Sequence, residues 1–341
     1  MILIHTDQFA EHTTPPGHPE RPERAAVMTA IASRWRSRGL EVVAPRAATV
    51  EQLARVHDVD YIRRVGATSG RAVALDPDTY TSPESYDVAL LAAGAAIDAV
   101  ERVLNNPGSS ALALVRPPGH HAERNRAMGF CFFNSVAVAA AHARATRGIS
   151  RVAIVDYDVH HGNGTQHMFE ADPTVMYVST HQFPYYPGTG AAEEIGVGSG
   201  RGFTVNLPLE VGAVDEDYAI AFGEVIVPVL KQFKPELLLV SAGFDAHERD
   251  PLAGMRLTTP AFAAMTGELR AVAEECCGGR MVLITEGGYD LEALGASLDA
   301  VIETMHAPAA EPVWPVSEVE SHRGEQSVAA AREALDGYWK F

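Results

Sequence analysis

Val152-Ala-Ile-Val-Asp-Tyr-Asp-Val-His-His-Gly-Asn-Gly164 joins a short apolar run to a segment crowded with carboxylates, imidazoles and an amide. A short apolar run bounded by turn residues fits a strand buried on both faces. The chemically capable side chains then stand at the carboxyl end of that strand. Side chains alternate along an extended chain, so Asp156, Asp158 and His160 point to one side if the strand continues that far. On this reading Asp158 and His160 grip one metal ion together, while His161, of opposite parity, is structural.

Working outward, further strand-like runs fall at 112–115, 174–179, 203–207, 237–241 and 281–285, with helix-like segments at 134–147, 214–233 and 260–275. This β/α alternation predicts a single-domain α/β fold, a mostly parallel central sheet with helices on both faces. Residues 1–310 are expected to form the catalytic domain, and 311–341 a C-terminal extension packed on it, helix-prone over 325–336. A packed helix and an oligomer contact, which would make the chain a homo-oligomer, both stay open for that extension.

Four apolar runs each lead into a reactive side chain: 112–115 into His120-His121, 152–155 into Asp156, Asp158 and His160, 237–241 into Asp245, and 281–285 into Tyr289. In open α/β sheets ligands bind outside the carboxyl ends of the strands, so the four loops should share one rim. Asp158, His160 and Asp245 supply three N/O ligands and leave a position open, the arrangement that catalytic zinc needs. Two carboxylates formally neutralise a divalent ion, so bound water is acidified less and a general base is needed; His120 and His121 are the suppliers. Tyr289, after a Gly-Gly pair, can donate its hydroxyl to an oxyanion. These parts describe metal-assisted amide hydrolysis. Gly196-Val-Gly-Ser-Gly-Arg-Gly202 lacks phosphate-loop spacing and precedes a strand, so it reads as a plain loop.

The formal net charge is −17, with 27 scattered Lys and Arg, which argues against a nucleic-acid or anionic-membrane partner. Cys131, Cys276 and Cys277 form no disulfide framework, and no apolar run reaches the roughly 18 residues of a membrane span. A cytoplasmic location is the expectation from these features.

Taken in order, His18-Pro-Glu-Arg-Pro-Glu-Arg24, Arg116-Pro-Pro-Gly-His-His-Ala122, Gly129-Phe-Cys-Phe-Phe-Asn134, Asp156 to Gly164, Ser241-Ala-Gly-Phe-Asp245 and Glu286-Gly-Gly-Tyr289 resemble the metal-dependent histone deacetylases and their bacterial amidohydrolase relatives. The resemblance runs from about residue 5 to about 306 and implies the arginase-deacetylase fold. It implies zinc, or ferrous iron in cells, on Asp158, His160 and Asp245. It makes His121 the general base and then acid, His120 its electrostatic partner held by Asp156, and Tyr289 the oxyanion donor. Asn163 stands where class I enzymes have an aspartate, which makes the chain class II-like and His121 the less basic of the pair. A structural potassium ion is implied at Asp156, Ser179 and the carbonyls of Asp158, His160 and Thr180, and a second at the carbonyls of Phe169, Asp172, Val175 and Phe203. Gly129, Phe130 and Tyr186 match the walls of an acyl-lysine channel, Arg24 an acetate exit path, and Ser82 a rim position that grips substrate backbone.

The implied activity is removal of acetyl or other short acyl groups from lysine side chains, on a peptide, a protein or a small acetylated amine. An acetylpolyamine amidohydrolase is the alternative within the family. Leu252, after Asp250-Pro251, stands where polyamine-specialised members carry a Glu, and it favours acyl-lysine. A dimanganese ureohydrolase would need more bridging carboxylates, and a silent acyl-lysine binding module would not need Tyr289 and both histidines.

Overall fold

The computed structural model describes residues 1–106, 108–316 and 321–341, so 317–320 of the C-terminal extension lie outside the described residues. Eight strands form one sheet: β1 (Ile2–Ile4), β2 (Glu41–Val43), β3 (Ser110–Ala113), β4 (Val152–Asp156), β5 (Val175–Gln182), β6 (Thr204–Leu209), β7 (Leu237–Ala242) and β8 (Met281–Thr285). They lie in the order β2-β1-β3-β8-β7-β4-β5-β6, every neighbouring pair parallel. The sheet is thus wholly parallel and includes two three-residue strands, β1 and β2, that the apolar-run reading did not delineate.

Alternation along each strand builds the two cores. In β4, Ala153 and Val155 face one layer, with Leu238, Val240 and Leu283 beside them. Val152 and Ile154 face the other, with Leu237, Leu239, Val282 and Ile284. The first layer is covered by helices Glu23–Ser37, Thr259–Cys277 and Leu291–His306, and the second by Ser85–Asn105 and Ser135–Arg147. Both faces being dry, the strands are continuous apolar runs, each buried Leu or Ile contributing roughly 1.5–3 kcal/mol.

The expected helix at 214–233 is broken: Asp215–Ala221 and Val227–Phe233 are α-helical, with a π-helical turn at Phe222–Ile226 between them. Pro228 has no N–H to return to the carbonyl of Glu224, so the ladder widens. Arg332 donates to that carbonyl instead, at 3.0 Å. Arg332 belongs to the C-terminal helix Arg323–Ala334, which packs against β6 and the helix Asp215–Ala221. The chain end beyond it is also tied down, Trp339 Nε1 donating to the Gly202 carbonyl at 2.6 Å. Among the described residues no helix is long and apolar enough to cross a membrane.

Candidate active site

The four reactive loops leave β3, β8, β7 and β4, which are consecutive neighbours at the centre of the sheet although they are distant in sequence. Asp156 is the last residue of β4, and the chain then turns away. Strand parity therefore does not place Asp158 and His160; a loop does, bent by hydrogen bonds from Asp158 N to Asp156 Oδ1 (3.2 Å) and from His160 N to Asp158 Oδ1 (2.9 Å). His161 is structural for a different reason from parity: its ring is buried between Thr189 Oγ1 (2.7 Å) and Gln166 Oε1 (2.9 Å).

Asp158, His160 and Asp245 converge, their ligand atoms all within 4.8 Å of one another. His160 Nδ1 lies 3.1 Å from Asp158 Oδ1 and 3.1 Å from Asp245 Oδ2. Backbone amides aim the carboxylates: Val159 N donates to Asp245 Oδ1 at 2.9 Å and Gly287 N to Asp158 Oδ2 at 2.8 Å. A Cβ at Gly287 would collide with both carboxylates, so only glycine lets that backbone approach. Two carboxylates buried side by side demand positive charge between them. Although burial opposes its charge, hydrogen bonds to both raise His160 to about 10. A divalent ion can displace that proton and take its place. The donor set, one imidazole and two carboxylates, fits such an ion.

His120 and His121 lie side by side next to the triad, ring centroids 4.1 Å apart and planes tilted by 46°. His120 Nδ1 donates to Asp156 Oδ2 at 2.9 Å, and His121 Nδ1 meets Asn163 Oδ1 at 2.8 Å. Burial opposes the charge of both. For His120 the nearby Asp156 and Asp158 outweigh it and raise the imidazole to about 10. For His121, burial and the charges of His120 and His160 hold it well below its ordinary value, so it is a neutral base. Tyr289 is pushed up by burial, so its hydroxyl is a donor. Asp156 and Ser179 are direct partners in the β4–β5 register, both buried. Beside them the Thr180 hydroxyl is buried without a hydrogen-bond partner among the described residues.

Above these groups opens a narrow cavity of about 90 Å³, walled by Gly129, Phe130, Tyr186 and Leu252, with His120, His121, His160 and Tyr289 also lining it. A larger groove of about 320 Å³, along Ala264, Gly267 and Pro312, carries no such convergent donors among the described residues. Phe130 sits at φ 69°, a strained left-handed conformation for a bulky residue, and turns its ring into the channel. Ser82 does not line this cavity. It is buried, bonded to Ser85 Oγ at 2.9 Å and accepting from Thr13 N at 3.1 Å, and it faces a neighbouring groove with Thr13, Tyr80 and Thr81. Asp78 lines the cavity instead, accepting from Gly129 N at 3.2 Å. The signal for it was the polar Asp76-Pro77-Asp78 turn four residues upstream.

A buried ionic frame holds the loops in place. Glu20 takes Arg116 bidentately, Nε to Oε1 at 2.7 Å and a terminal nitrogen to Oε2 at 2.8 Å, and also pairs with Arg24 at 3.1 Å. Arg24 donates to the carbonyls of Gly288 (2.7 Å) and Glu286 (2.6 Å), and its guanidinium lies 4.9 Å from the Tyr289 ring centre. Glu286, raised to about 7 by burial, accepts from Gly119 N at 2.6 Å and so fixes the His-His loop. Asp250 accepts from Tyr289 N at 2.7 Å. Glu286 and Asp250 were visible as motif letters, but their roles needed the fold. Removing one partner from a buried ion network strands the others. Glu20→Ala is accordingly expected to lose roughly 3–5 kcal/mol of stability in denaturant titration, and a loss under 1 kcal/mol would contradict the frame.

A family model for the histone deacetylase domain matches residues 18–305. The chain is 41% identical over 294 residues to a probable deacetylase of Archaeoglobus fulgidus, covering 85% of this chain and 81% of that protein. It is 42% identical over 278 residues to the histone deacetylase-like amidohydrolase of Pseudomonas aeruginosa, covering 80% and 73% of the two chains. Against the human polyamine deacetylase HDAC10 the identity is 40% over 343 residues, 94% of this chain but 49% of the relative. The crystal structure of the HDA15 HD domain superposes with a TM-score of 0.90 at 37% identity, covering 99% of this chain and 94% of that one. The match spans all four central loops and the frame that holds them, and on that extent the chain belongs to the histone deacetylase family, a metal-dependent family of deacetylases on the arginase-deacetylase fold.

Proposed function

We propose that this protein is a zinc-dependent amidohydrolase that removes acetyl or similar short acyl groups from lysine side chains. The observation that carries the reading is the convergence of three buried N/O ligands, a neutral His121 and a protonated Tyr289 at the floor of a narrow, aromatic-walled cavity. Such a channel accepts an alkyl stem between rings while the peptide end stays outside.

A zinc ion on Asp158, His160 and Asp245 supplies Lewis acidity toward the amide carbonyl and an acidified water. His121 Nε2 takes the proton of the attacking water and returns it to the departing lysine amine. Charged His120, held by Asp156, favours the negative charge that builds up in between. Tyr289 donates its hydroxyl to the developing oxyanion. Asp78, at the cavity wall, is the group we assign to hold substrate backbone. Asp156 and Ser179 are the side chains proposed for a structural potassium ion, with the carbonyls of neighbouring loop residues.

Turnover of acetyl-lysine peptides and acetylputrescine, on protein of measured metal content, tests the reading. The acetyl-lysine peptide should be the faster substrate, because Leu252 gives the mouth an apolar wall and no added carboxylate. Much faster hydrolysis of acetylputrescine would replace acyl-lysine by polyamine as the substrate class. Binding without metal-dependent turnover of either would replace the enzyme by a binding module.

A further inference from the structure

His121 can act as a base only if its proton sits on Nδ1 and its lone pair on Nε2 faces the cavity. The partner of Nδ1 is the side-chain oxygen of Asn163, at 2.8 Å. An amide can turn either way, and the opposite direction would offer Nδ1 an N–H donor and force the proton onto Nε2. Something must therefore fix the direction of this amide.

We infer that Glu123 is that group, a positioning residue that acts on His121 through Asn163; the inference rests on the deacylase reading above. Asn163 Nδ2 donates to Glu123 Oε1 at 2.5 Å. Around the same nitrogen stand two weaker acceptors, the His121 carbonyl at 3.3 Å and Met128 Sδ at 3.5 Å. A turned amide would set its oxygen against all three acceptors, and against a carboxylate first. Asn163 Oδ1 is thereby committed to His121 Nδ1. Glu123 is itself held, since His167 Nδ1 approaches the same Oε1 at 2.8 Å from the solvent side and the Glu123 backbone N–H donates to the Arg126 carbonyl at 2.9 Å. The carboxylate that a direct Asp–His contact would provide is supplied here one residue further out, and the neutral amide passes on direction without placing a charge on the base.

Substitutions separate this role from simple packing. Glu123→Ala should lower kcat about tenfold or more with KM and metal content unchanged, because the amide is then free to turn. Glu123→Gln keeps an acceptor oxygen and should lose less than Glu123→Ala. Asn163→Asp alone sets two carboxylates against each other and should lower kcat. Combined with Glu123→Ala, Asn163→Asp should regain most of the lost kcat, because a carboxylate accepts from Nδ1 in either orientation. Equal losses in Glu123→Ala and in the double variant would overturn the inference. Nitrogen-15 spectra of labelled histidine give a readout that does not need turnover: His121 should carry its proton on Nδ1 in the native chain and become mixed in Glu123→Ala. An unchanged tautomer sinks the role of Glu123. Absence of turnover in every form, with the tautomer shift intact, sinks the acyl-lysine reading alone.

Discussion

Replacing Tyr289 by phenylalanine should leave fold and metal content near normal and cut turnover by about 10²–10³, the usual loss for one oxyanion donor. The ring stays in place, because its contacts are made by carbon: Phe130 meets it edge-on at a centroid distance of 5.8 Å, and the Arg24 guanidinium lies over its face. The backbone also stays in place, since Tyr289 N is held by Asp250. What the variant loses is one O–H that burial keeps protonated. Donation to a charge that exists only in the transition state changes kcat and kcat/KM together and leaves substrate binding nearly alone. Steady-state kinetics at saturating metal checks this. Activity within threefold of wild type would remove Tyr289 from the chemistry.

The second large effect is on the metal. Asp158→Ala removes one of the three proposed ligands and also the acceptor of Gly287 N, so both the ion and the loop that carries Tyr289 should lose their anchor. Metal content should fall below a tenth of wild type and activity with it. Asp158→Asn removes the charge but keeps an acceptor oxygen for only one of the His160 and Gly287 amides, which reach Oδ1 and Oδ2 respectively, and it should lose metal with less damage to the fold than Asp158→Ala. Elemental analysis after gel filtration, together with thermal denaturation, separates the two outcomes. Full occupancy in either variant would show that the ion sits elsewhere.

These two expectations draw on residues that could be singled out in the chain before any fold was known, and others could not. Asp158, His160, Asp245, His120, His121 and Tyr289 stood out because each follows an apolar run, and strand ends in a parallel sheet share a rim. The convergence of Asp158 and His160 was foreseen but its cause was not: β4 ends at Asp156, and local side-chain-to-backbone bonds shape the loop beyond it. Asp78, which lines the cavity, was not singled out, because a loop without periodicity gives no register to count from. The π-helical turn at Phe222–Ile226 followed from Pro228, a residue whose effect on a helix depends on what can satisfy the freed carbonyl.

By itself the sequence determined the class of fold and singled out the candidate ligands and reacting groups, since these depend on side-chain type and on short spacings from the ends of apolar runs. Tertiary structure alone decided how those groups are held. Glu20 with Arg116, Glu286 with Gly119, Asp250 with Tyr289 and Glu123 with Asn163 join segments far apart in the chain. The physical reason is burial. An unpaired carboxylate costs too much inside the protein to be left alone, so each finds its partner, but which partner depends on how the strands are ordered in space. The segment from Val152 to Gly164 offers two of the three proposed ligands; the neighbours that β3, β7 and β8 bring to it, Asp245 among them, complete the candidate site.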